Sequence, residues 1–506
     1  MTVTTHAHTA PGRPAAVMGS TGETVTFAEL DSRSRRLAAN LRRRGLDPGD
    51  HVAVLLENRL EYFDVAWATQ RSGLYLTPVN WHLAPIEAGY IVADCGARAL
   101  ITSAEFAGLI EQIGPSARGA DVRLSVDGPF GDFEAYDDLV ATDPDVDPEP
   151  ETEGAWMFYS SGTTGRPKGI KPPLSGAPFG TSTPLEALLG GLYGFGADTV
   201  YLCPAPLYHA APLGWTTTTQ RLGGTVVVMD HFDAIEALRL IERYRATHVQ
   251  FVPTHFVRML KLPREERERY DLSSLRVVVH AAAPCPPDVK RQMLEWFGPI
   301  IHEYYSGSEG TAFFAIGPQE WLAHPGSVGK ALIGTPHVFD DDGVEVPIGE
   351  TGQIWFETAT RFEYHNDPVK TAAAFNDRDM STLGDIGHLD ADGYLYLTDR
   401  VGNMIISGGV NIYPREIEDI LIGHGSIEDV AVIGVADAEM GESVKAFVQL
   451  VAGETPGPDL EADIIAYCRH RLSSFKCPRS VVFVDTLPRL PTGKLLKRSL
   501  IDSNAP

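Results

Sequence analysis

Helical and extended patterns alternate along most of this chain, and that alternation restricts its fold more than any other feature. Leu30, Leu37 and Leu41 recur at helical spacing, whereas His51–Leu56 is a nearly continuous apolar run typical of a buried strand. A second helical pattern follows over Tyr62–Gln70. Such alternation continues for about 300 residues and predicts a layered α/β architecture with a largely parallel sheet.

Two segments interrupt the alternation and suggest domain limits. Thr142–Gly154 is acidic and rich in proline, so we expect an exposed connector there. After the strand-like run Tyr394–Thr398 the pattern changes, and roughly 100 residues remain, which is the size of a small independent domain. We therefore predict a large α/β domain over 1–399, a hinge at 400–403 and a small α+β domain over 404–506.

Net charge restricts the partners of this chain. The 506 residues carry a formal net charge of −25, so nucleic acid and anionic membranes are not expected to bind. No apolar run approaches the ~20 residues that cross a bilayer, and the N-terminus lacks the order of a signal peptide. The five cysteines are scattered without a Cys-x-x-Cys pair, which argues against a disulfide framework or a zinc site. The cytosol is therefore the expected compartment.

The stretch Tyr159–Gly169 combines hydroxyl side chains, glycines and a lysine, directly after the strand-like run Ala155–Phe158. Glycines let backbone N–H groups approach an anion, hydroxyls donate hydrogen bonds, and Lys168 adds a positive charge. The Walker A order is absent, so a P-loop fold is not implied. A flexible surface linker would not explain the Pro-Lys pair at the end. The predicted phosphate-binding residues are Ser160, Ser161, Gly162, Thr163, Thr164, Gly165 and Lys168.

This loop resembles the phosphate-binding signature of the adenylate-forming superfamily, in particular its acyl-CoA synthetase branch, and the resemblance runs in order from about Thr26 to Leu500. It implies an adenylation domain followed by a small mobile domain that carries a catalytic lysine. It also implies ATP and Mg²⁺ as cofactors and coenzyme A as co-substrate. The expected reaction joins a carboxylic acid to AMP and then transfers the acyl group to coenzyme A.

The segment Tyr305–Glu309 resembles the superfamily motif Tyr-Gly-x-Thr-Glu, with Ser306 and Ser308 in place of Gly and Thr. Mg²⁺ requires hard oxygen ligands, and Glu309 supplies one. The resemblance implies Thr164 as a second metal contact. Ser308 keeps the hydroxyl of the threonine that it replaces, so we expect its phosphate contact to be retained.

A second motif, Gly384–Gly387, contains the aspartate that should bind the ribose hydroxyls. A carboxylate accepts two hydrogen bonds from a cis-diol, which suits Asp385, and Arg400 is expected beside it. The turn after His280 resembles the adenine-binding turn of the superfamily, although its alanines replace glycines and should loosen the backbone approach. The resemblance places at the nucleotide Ala281, Ala282, Ala283, Glu303, Tyr304, Tyr305, Ser308, Asp385 and Arg400.

The segment Pro206–Ala211 resembles the superfamily segment whose histidine approaches the carboxylate of the acid. On composition alone His209 is more typical of a core residue, and only the motif favours a catalytic role. The predicted acid pocket consists of Tyr208, His209, Val252, Pro253, His255 and Tyr304. Its mixed aromatic and small side chains suit aryl, cyclic or medium-chain acids, and the sequence does not decide among them.

The C-terminal segment Leu490–Lys494 resembles the motif that bears the catalytic lysine. A cation is needed there because negative charge develops as pyrophosphate leaves. Lys497 is expected to be an ordinary surface lysine. Ser407–Pro414 resembles part of the thiol tunnel, with Gly408, Gly409 and Asn411 along it. The predicted hinge carries Gly402 and Asn403 where relatives usually have Asp or Lys followed by Asp, and glycine should still permit rotation.

Three alternatives to a coenzyme A ligase stay open. The acyl group could pass to an amine, as in an amide bond synthetase, or to a carrier protein. A non-catalytic nucleotide- or acyl-binding relative is disfavoured, because the five residues expected at the chemistry are all present: Lys168, Glu309, Asp385, Arg400 and Lys494. Many relatives dimerise, so a homodimer is also open.

Overall fold

The structure is a computed structural model that describes residues 2–141, 150–160, 167–359, 361–407, 410–437, 440–489 and 495–503. Its strands, numbered in chain order, are β1 Pro14–Met18, β2 Thr24–Thr26, β3 His51–Leu55, β4 Tyr75–Pro78, β5 Ala97–Ser103, β6 Val122–Val126, β7 Glu134–Ala135, β8 Ala155–Trp156, β9 Phe158–Ser160, β10 Lys168–Ile170, β11 Val200–Cys203, β12 Thr225–Val228, β13 His248–Phe251, β14 Val277–His280, β15 Ile301–Ser306, β16 Phe313–Ile316, β17 Ser327–Ile333, β18 Thr335–Phe339, β19 Gly352–Glu357, β20 Asp385–Leu389, β21 Leu395–Arg400, β22 Ile405–Ser407, β23 Val410–Ile412, β24 Ile427–Asp437, β25 Gly441–Leu450 and β26 Ser480–Val484.

The α-helices are α1 Val3–Thr9, α2 Phe27–Arg43, α3 Glu61–Gln70, α4 Pro85–Asp94, α5 Ala107–Ile113, α6 Pro115–Arg118, α7 Tyr136–Ala141, α8 Pro184–Tyr193, α9 Ala210–Arg221, α10 Ala234–Tyr244, α11 Pro253–Leu260, α12 Arg264–Arg267, α13 Pro287–Phe297, α14 Pro318–Ala323, α15 Pro368–Ala373, α16 Pro414–Leu421, α17 Pro458–Arg469 and α18 Lys497–Ser503. Among the described residues, none of the helices is both long and apolar enough to cross a membrane.

The helix and strand patterns at the start of the chain are confirmed. Helix α2 begins with a capping box, in which Thr26 and Glu29 satisfy each other's backbone N–H groups, and its leucines are fully buried. Every residue of β3 is buried, and α3 follows it. This strand belongs to a six-stranded sheet in the order β7-β6-β5-β3-β4-β8, in which all pairs are parallel.

The larger sheet is parallel over only half of its width. Its strand order is β18-β19-β20-β21-β17-β16-β15-β14-β13-β11-β12-β1-β2. The strands from β12 to β15 pair in parallel, whereas every pair from β15 through β18 is antiparallel. The prediction of a largely parallel sheet is therefore wrong for this region, where a short turn rather than a crossover helix joins β15 to β16.

The carboxyl ends of the parallel strands bring the nucleotide motifs together. Strand β14 ends at His280, directly before the alanine turn, and its parallel neighbour β15 contains Tyr304 and Tyr305. Strands β20 and β21 are antiparallel partners, and their register sets Asp385 opposite Arg400. In open α/β sheets, ligands bind outside the carboxyl ends of the strands. The topology therefore explains why motifs far apart in sequence share one site.

The predicted strand Ala155–Phe158 is divided between two sheets. Strand β8 pairs with β4, while β9 pairs with β10 in a separate antiparallel hairpin. The break falls at Met157, which is fully buried. This hairpin sets Lys168 opposite Ser160 and so joins the two ends of the predicted phosphate loop. Residues 161–166 lie outside the described ranges.

The prediction of an exposed connector over 142–154 is wrong at its C-terminal end. Glu153 is only 7% exposed. Its two carboxylate oxygens accept hydrogen bonds of 2.8 and 2.9 Å from Arg221, whose guanidinium lies over the ring of Trp67. At Gly154 a Cβ atom would lie 2.4 Å from the carbonyl oxygen of Thr69, so only glycine fits. Residues 142–149 lie outside the described ranges.

The C-terminal region has a sheet and a core of its own. Strands β23, β22, β25 and β24 pair in that order, all antiparallel, and β26 adds to β25 in parallel. The buried core beneath them is formed by residues that run from Ile405 to Val481, with contributions from α16 and α17. This confirms a small α+β domain after the large one.

Removal of the Glu153 carboxylate tests the buried ion pair. Glu153→Ala removes both hydrogen-bonded carboxylate oxygens from the buried Arg221 guanidinium and leaves only Glu186, 3.9 Å away, as a counter-charge. We therefore expect the free energy of unfolding to fall by about 3–5 kcal/mol. Glu134→Ala is the matched control, because Glu134 pairs with Arg44 at a side-chain exposure of 59% and should cost at most about 1 kcal/mol. Urea unfolding followed by tryptophan fluorescence measures both. Equal shifts in the two variants would show that the Glu153 pair is not a special determinant of stability.

Candidate active site

A cleft of about 360 Å³ lies between the two domains and contains most of the predicted nucleotide residues. Its wall on the large domain includes Thr254, Ala282, Ala283, Glu303, Tyr304, Tyr305, Asp385 and Arg400. Its wall on the small domain includes Arg415, Glu418, Asp419, Arg489, Leu495 and Lys497.

Asp385 is the best-fixed charged group of this cleft. It is 6% exposed, and its Oδ2 accepts a hydrogen bond of 2.6 Å from the hydroxyl of Tyr305. Its Oδ1 accepts one of 2.9 Å from Nε of Arg400. The charge of Asp385 raises the pKa of Arg400, and burial raises the pKa of Tyr305. The predicted neighbours Asp385 and Arg400 are thus in contact, and the hydrogen bond from Tyr305 is a further link that the motifs did not indicate.

The alanine turn carries backbone strain. Ala282 has φ of +72°, a left-handed conformation that costs an alanine roughly 1–2 kcal/mol relative to glycine. It is exposed to the cleft, whereas Ala281 is buried. Replacement of glycine by alanine in this turn therefore changes backbone energy as well as the closeness of the backbone to a ligand.

The carboxylate of Glu303 is used inside the protein. Its Oε2 accepts a hydrogen bond of 2.5 Å from Nζ of Lys290 and lies 3.3 Å from Nε2 of His280. Lys290 and His280 are fully buried. Burial raises the pKa of Glu303 and lowers that of His280, so the imidazole is neutral, and the ion pair of this cluster is the contact between Lys290 and Glu303. Glu303 lines the cleft, but its side chain anchors β15 rather than offering a free carboxylate to a nucleotide.

Lys168 and Glu309 both contact the side chain of Tyr364. The Oε1 atom of Glu309 accepts a hydrogen bond of 2.9 Å from the hydroxyl of Tyr364, and Nζ of Lys168 lies 4.7 Å from the centre of the same ring. Burial lowers the pKa of Lys168, and Glu309 partly opposes that shift. Ser308 is exposed in the turn that holds Glu309. The predicted residues Ser161, Gly162, Thr163, Thr164 and Gly165 lie outside the described residues.

Two of the predicted acid-pocket residues flank the start of α9. Tyr208 is 5% exposed, and its ring centre lies 4.5 Å from that of His209, which occupies the N-cap position of the helix. The Tyr208 hydroxyl is buried without a hydrogen-bond partner among the described residues. At the start of α11, Val252 is the N-cap and Pro253 is the first helical residue, which suits its missing N–H group.

His255 faces the protein core rather than the cleft. Its ring stacks on Phe232 with the ring centres 3.7 Å apart, and its Nδ1 accepts a hydrogen bond of 3.4 Å from the N–H of Val252. Burial lowers its pKa to about 3. It therefore caps its own helix as a neutral imidazole, which corrects its assignment to the acid pocket. Thr254 and Val257, on the other face of α11, line the cleft instead.

The last predicted pocket residue, Tyr304, lines the cleft. Its ring stacks against Trp215 and Phe313. Its hydroxyl accepts a hydrogen bond of 2.7 Å from the side-chain amide of Gln250. Burial raises its pKa to about 12, so the phenol is neutral at physiological pH.

Ion pairs hold both flanks of the lysine motif. Arg489 donates hydrogen bonds of 2.5 and 2.7 Å to the two carboxylate oxygens of Asp429. Lys497 lies 2.8 Å from Oε1 of Glu418, and its side chain is 10% exposed. The prediction of Lys497 as an ordinary surface lysine is therefore wrong, because it lines the cleft with Arg489. Lys494 itself lies outside the described residues, as do Gly408 and Gly409, while Asn411 is exposed on β23.

The predicted hinge forms a short 3₁₀ turn, Val401–Asn403. Gly402 does not have positive φ, and an added Cβ would meet no atom within 4 Å. This conformation therefore does not require glycine at that position. Asn403 donates a hydrogen bond of 3.1 Å to Oδ1 of Asp399, and Oδ2 of Asp399 accepts one of 3.0 Å from the N–H of Arg415 in the small domain.

Comparison with known families decides the membership of this chain. The AMP-binding enzyme family matches residues 3–363, and the C-terminal domain of AMP-binding enzymes matches residues 416–494. The chain belongs to the AMP-binding enzyme family. The match confirms the resemblance to the adenylate-forming superfamily, its two-domain α/β fold and the class of AMP-forming ligase.

Relatives of this AMP-binding enzyme match over nearly their whole length. A fatty acid–[acyl-carrier-protein] ligase of Streptomyces coeruleorubidus is 32% identical, over 99% of this chain and 95% of that protein. A feruloyl-CoA synthase of an Amycolatopsis species is 35% identical over 94% of this chain and 93% of its own. The structure of the amide bond synthetase McbA from Marinactinospora thermotolerans aligns with a TM-score of 0.81, at 29% identity over 98% of this chain and 97% of that one.

Two features of the AMP-binding enzyme were missed from its motifs. Tyr364 belongs to no motif that we recognised, and it reaches the site only through tertiary contacts. Lys497 follows the lysine motif closely, but its burial depends on Glu418 in another helix. A signal for Lys497 did exist, because its position at the start of α18 is unusual for a basic residue, which is favoured at helix C-termini.

Substitution of Ala282 by glycine tests the strained turn. Glycine removes roughly 1–2 kcal/mol of left-handed backbone strain from the folded state. It also increases the conformational entropy of the unfolded chain, which lowers stability by about 0.4–1 kcal/mol. We therefore expect Ala282→Gly to leave stability unchanged or to raise it by up to about 1 kcal/mol. Ala281→Gly is the control, because Ala281 is buried at negative φ and its replacement should lower stability. Thermal unfolding midpoints measure both, and a larger loss for Ala282→Gly would contradict the assignment of strain.

Proposed function

We propose that this AMP-binding enzyme activates a carboxylic acid as its acyl-adenylate and transfers the acyl group to coenzyme A. The observation that carries the proposal is the buried carboxylate of Asp385, held between Tyr305 and Arg400 at the cleft. Each carboxylate oxygen can accept two hydrogen bonds, and each has one partner here. The remaining lone pairs suit the two hydroxyls of a ribose, while the neighbouring Ala281–Ala283 turn suits the adenine.

The first half-reaction is a displacement at phosphorus. A carboxylate oxygen of the acid forms a bond to the α-phosphorus of ATP, and the bond to the bridging oxygen breaks, so that pyrophosphate leaves with the electron pair. Lys168, Arg400 and Lys494 supply positive charge where negative charge develops. His209, at the N-terminus of α9, is proposed to lie at the carboxylate of the acid.

Mg²⁺ fits the residues near the phosphate loop. Oε1 of Glu309 accepts a hydrogen bond from the hydroxyl of Tyr364, which leaves the other carboxylate oxygen outside that bond. We propose Glu309 as a ligand, with Thr164 as the second contact implied by resemblance. The ion would neutralise charge on the ATP phosphates.

In the second half-reaction, the sulfur of coenzyme A forms a bond to the acyl carbon and the bond from that carbon to the phosphate oxygen breaks. AMP leaves as the phosphate anion, and the thiol proton is lost to solvent. The segments Gly434–Asp437 and Gly441–Lys445 resemble the acyl-CoA synthetase branch, which supports this acceptor. We propose rotation of domain 404–506 about residues 400–403 between the two steps, with Gly408, Gly409 and Asn411 along the thiol path.

An amine is the second candidate acceptor. The relatives named above are a ligase for a carrier protein, a coenzyme A ligase and an amide bond synthetase, and they are 29 to 35% identical to this chain. Sequence identity alone therefore does not decide which acceptor this enzyme uses. The specific observation in favour of an amine is Gly402-Asn403 at the hinge, which departs from the superfamily pattern. A cytosolic location and a homodimer stay predictions.

Product analysis separates these acceptors. Mg·ATP is mixed with aryl, cyclic and fatty acids, each with coenzyme A, with an amine or with neither, and products are identified by mass spectrometry. Acid-dependent AMP together with an acyl-CoA supports the proposal. Adenylate that persists with coenzyme A but yields an amide with an amine supports the second candidate. Absence of AMP with every acid would contradict both.

Substitution of Lys494 tests its proposed role. We expect Lys494→Ala to lower adenylate formation by at least 100-fold, by analogy with loss of other groups that stabilise transition-state charge (about 10²–10³-fold). Thioester formation from preformed acyl-adenylate should stay within about threefold of wild type, since that step needs no charge on pyrophosphate. Lys330→Ala is the control, because Lys330 is exposed and outside the cleft lining. Equal loss in both half-reactions would show that Lys494 acts elsewhere.

A further inference from the structure

We propose that the side chain of Tyr304 closes the inner end of the acid pocket and restricts this enzyme to compact acyl groups, such as short-chain acids. The inference rests on the proposed function and names the substrate class of that same site. It is carried by three observations: the packing of the Tyr304 ring, the hydrogen bond of its hydroxyl, and the limit of the cleft.

The ring of Tyr304 stacks with two other aromatic rings. The centre of the Trp215 ring lies 5.7 Å away at an interplanar angle of 17°, and that of Phe313 lies 5.2 Å away at 10°. Trp215 comes from α9, whose N-cap is His209, and Phe313 comes from β16, the antiparallel neighbour of β15. Offset stacking of this kind is favourable for each aromatic pair, so the ring is held by two different elements.

The hydroxyl of Tyr304 fixes the ring in its plane. It accepts a hydrogen bond of 2.7 Å from Gln250, which belongs to β13, the strand that leads into Val252 and Pro253. Movement of the ring out of the stack would break this bond in a largely buried setting, where an unsatisfied polar group is costly. Tyr304 therefore connects the two segments predicted to form the acid pocket, at the starts of α9 and α11.

The cleft reaches Tyr304 but not the two rings stacked with it. Four consecutive residues of β15, from Glu303 to Ser306, line the cleft. The described residues of the cleft lining include neither Trp215 nor Phe313. Behind Trp215 lie Tyr193, Phe195 and Tyr201, all with ring centres within 6.2 Å of it, as a packed aromatic cluster. The ring of Tyr304 thus separates the nucleotide cleft from a closed aromatic core.

These contacts decide which acids fit. Because Tyr304 is already stacked with Trp215 and Phe313, an aryl substrate has to compete with these two rings in order to stack on it. A long acyl chain cannot pass toward Trp215 unless the ring leaves its stack and its hydrogen bond. An acid whose acyl group ends at the ring edge requires neither change. This argument favours short acids over the medium-chain and extended aryl acids that the sequence left open.

Acid preference in three variants tests the proposal. Wild type, Tyr304→Ala and Tyr304→Phe are assayed for AMP release with straight-chain acids of two to twelve carbons and with benzoate. We expect wild type to prefer short acids, and Tyr304→Ala to raise the kcat/KM ratio of dodecanoate to butanoate by at least 10-fold, since one methylene in an apolar pocket is worth roughly 10–200-fold. Tyr304→Phe keeps the stacked ring and should keep the wild-type preference. A change in the ratio of dodecanoate to butanoate, rather than an equal loss for every acid, is the readout that a merely structural defect would not give.

A binding measurement keeps the test independent of turnover. Adenosine analogues that carry a butanoyl or a dodecanoyl group on a sulfamate in place of the phosphate are titrated by calorimetry. Wild type should bind the butanoyl analogue more tightly, and Tyr304→Ala should remove the difference.

The outcomes separate the two proposals. Length discrimination in binding without AMP from any acid would overturn the ligase proposal but support the role of Tyr304. AMP release with no change of preference in Tyr304→Ala, or a wild-type preference for dodecanoate, would overturn the role of Tyr304. If Tyr304→Ala unfolds, as judged by circular dichroism, Tyr304→Leu takes its place with the same expected direction.

Discussion

The site depends on one buried carboxylate. Asp385 is almost inaccessible to solvent, and a charge in that position is tolerated only if it is paired and hydrogen-bonded. Arg400 and Tyr305 meet both needs, and they come from strands on either side of β16 and β17 in the large sheet. The three side chains therefore fix the antiparallel part of the sheet against the parallel part. The alanine turn, Tyr304 and Glu309 all lie within or next to strands whose positions this contact fixes.

The other cations around the cleft are also paired with carboxylates. Arg489 is paired with Asp429, Lys497 with Glu418, and Lys168 faces Glu309 across Tyr364. In a chain with a net charge of −25, long-range attraction for an anionic nucleotide is absent, so binding must come from local cations held at fixed positions. Pairing reduces their net charge, but it also orders them before a ligand arrives, which lowers the cost of binding.

Sequence patterns predicted those parts of the molecule that depend on near neighbours in the chain. The helical spacing of the leucines in α2 and the apolar run of β3 are such parts. Several of the failures involve partners far away in sequence. Glu153 is buried because Arg221 requires a counter-charge, and His255 turns inward because Phe232 offers a stacking face. An acidic segment or a histidine next to a proline gives no local sign of such a partner.

Polar contacts between described residues join the two domains. Nζ of Lys261 donates hydrogen bonds of 3.0 and 2.7 Å to the carbonyl oxygens of Ile427 and Glu428, and Asp399 accepts a hydrogen bond from the N–H of Arg415. Water can replace such bonds at little net cost, because an intramolecular hydrogen bond contributes only about 0.5–1.5 kcal/mol. These bonds therefore oppose the proposed rotation of the small domain only weakly. Gly402 is consistent with such a rotation. The present turn does not require glycine, whereas a second orientation of the domain would require different backbone angles, which glycine adopts easily.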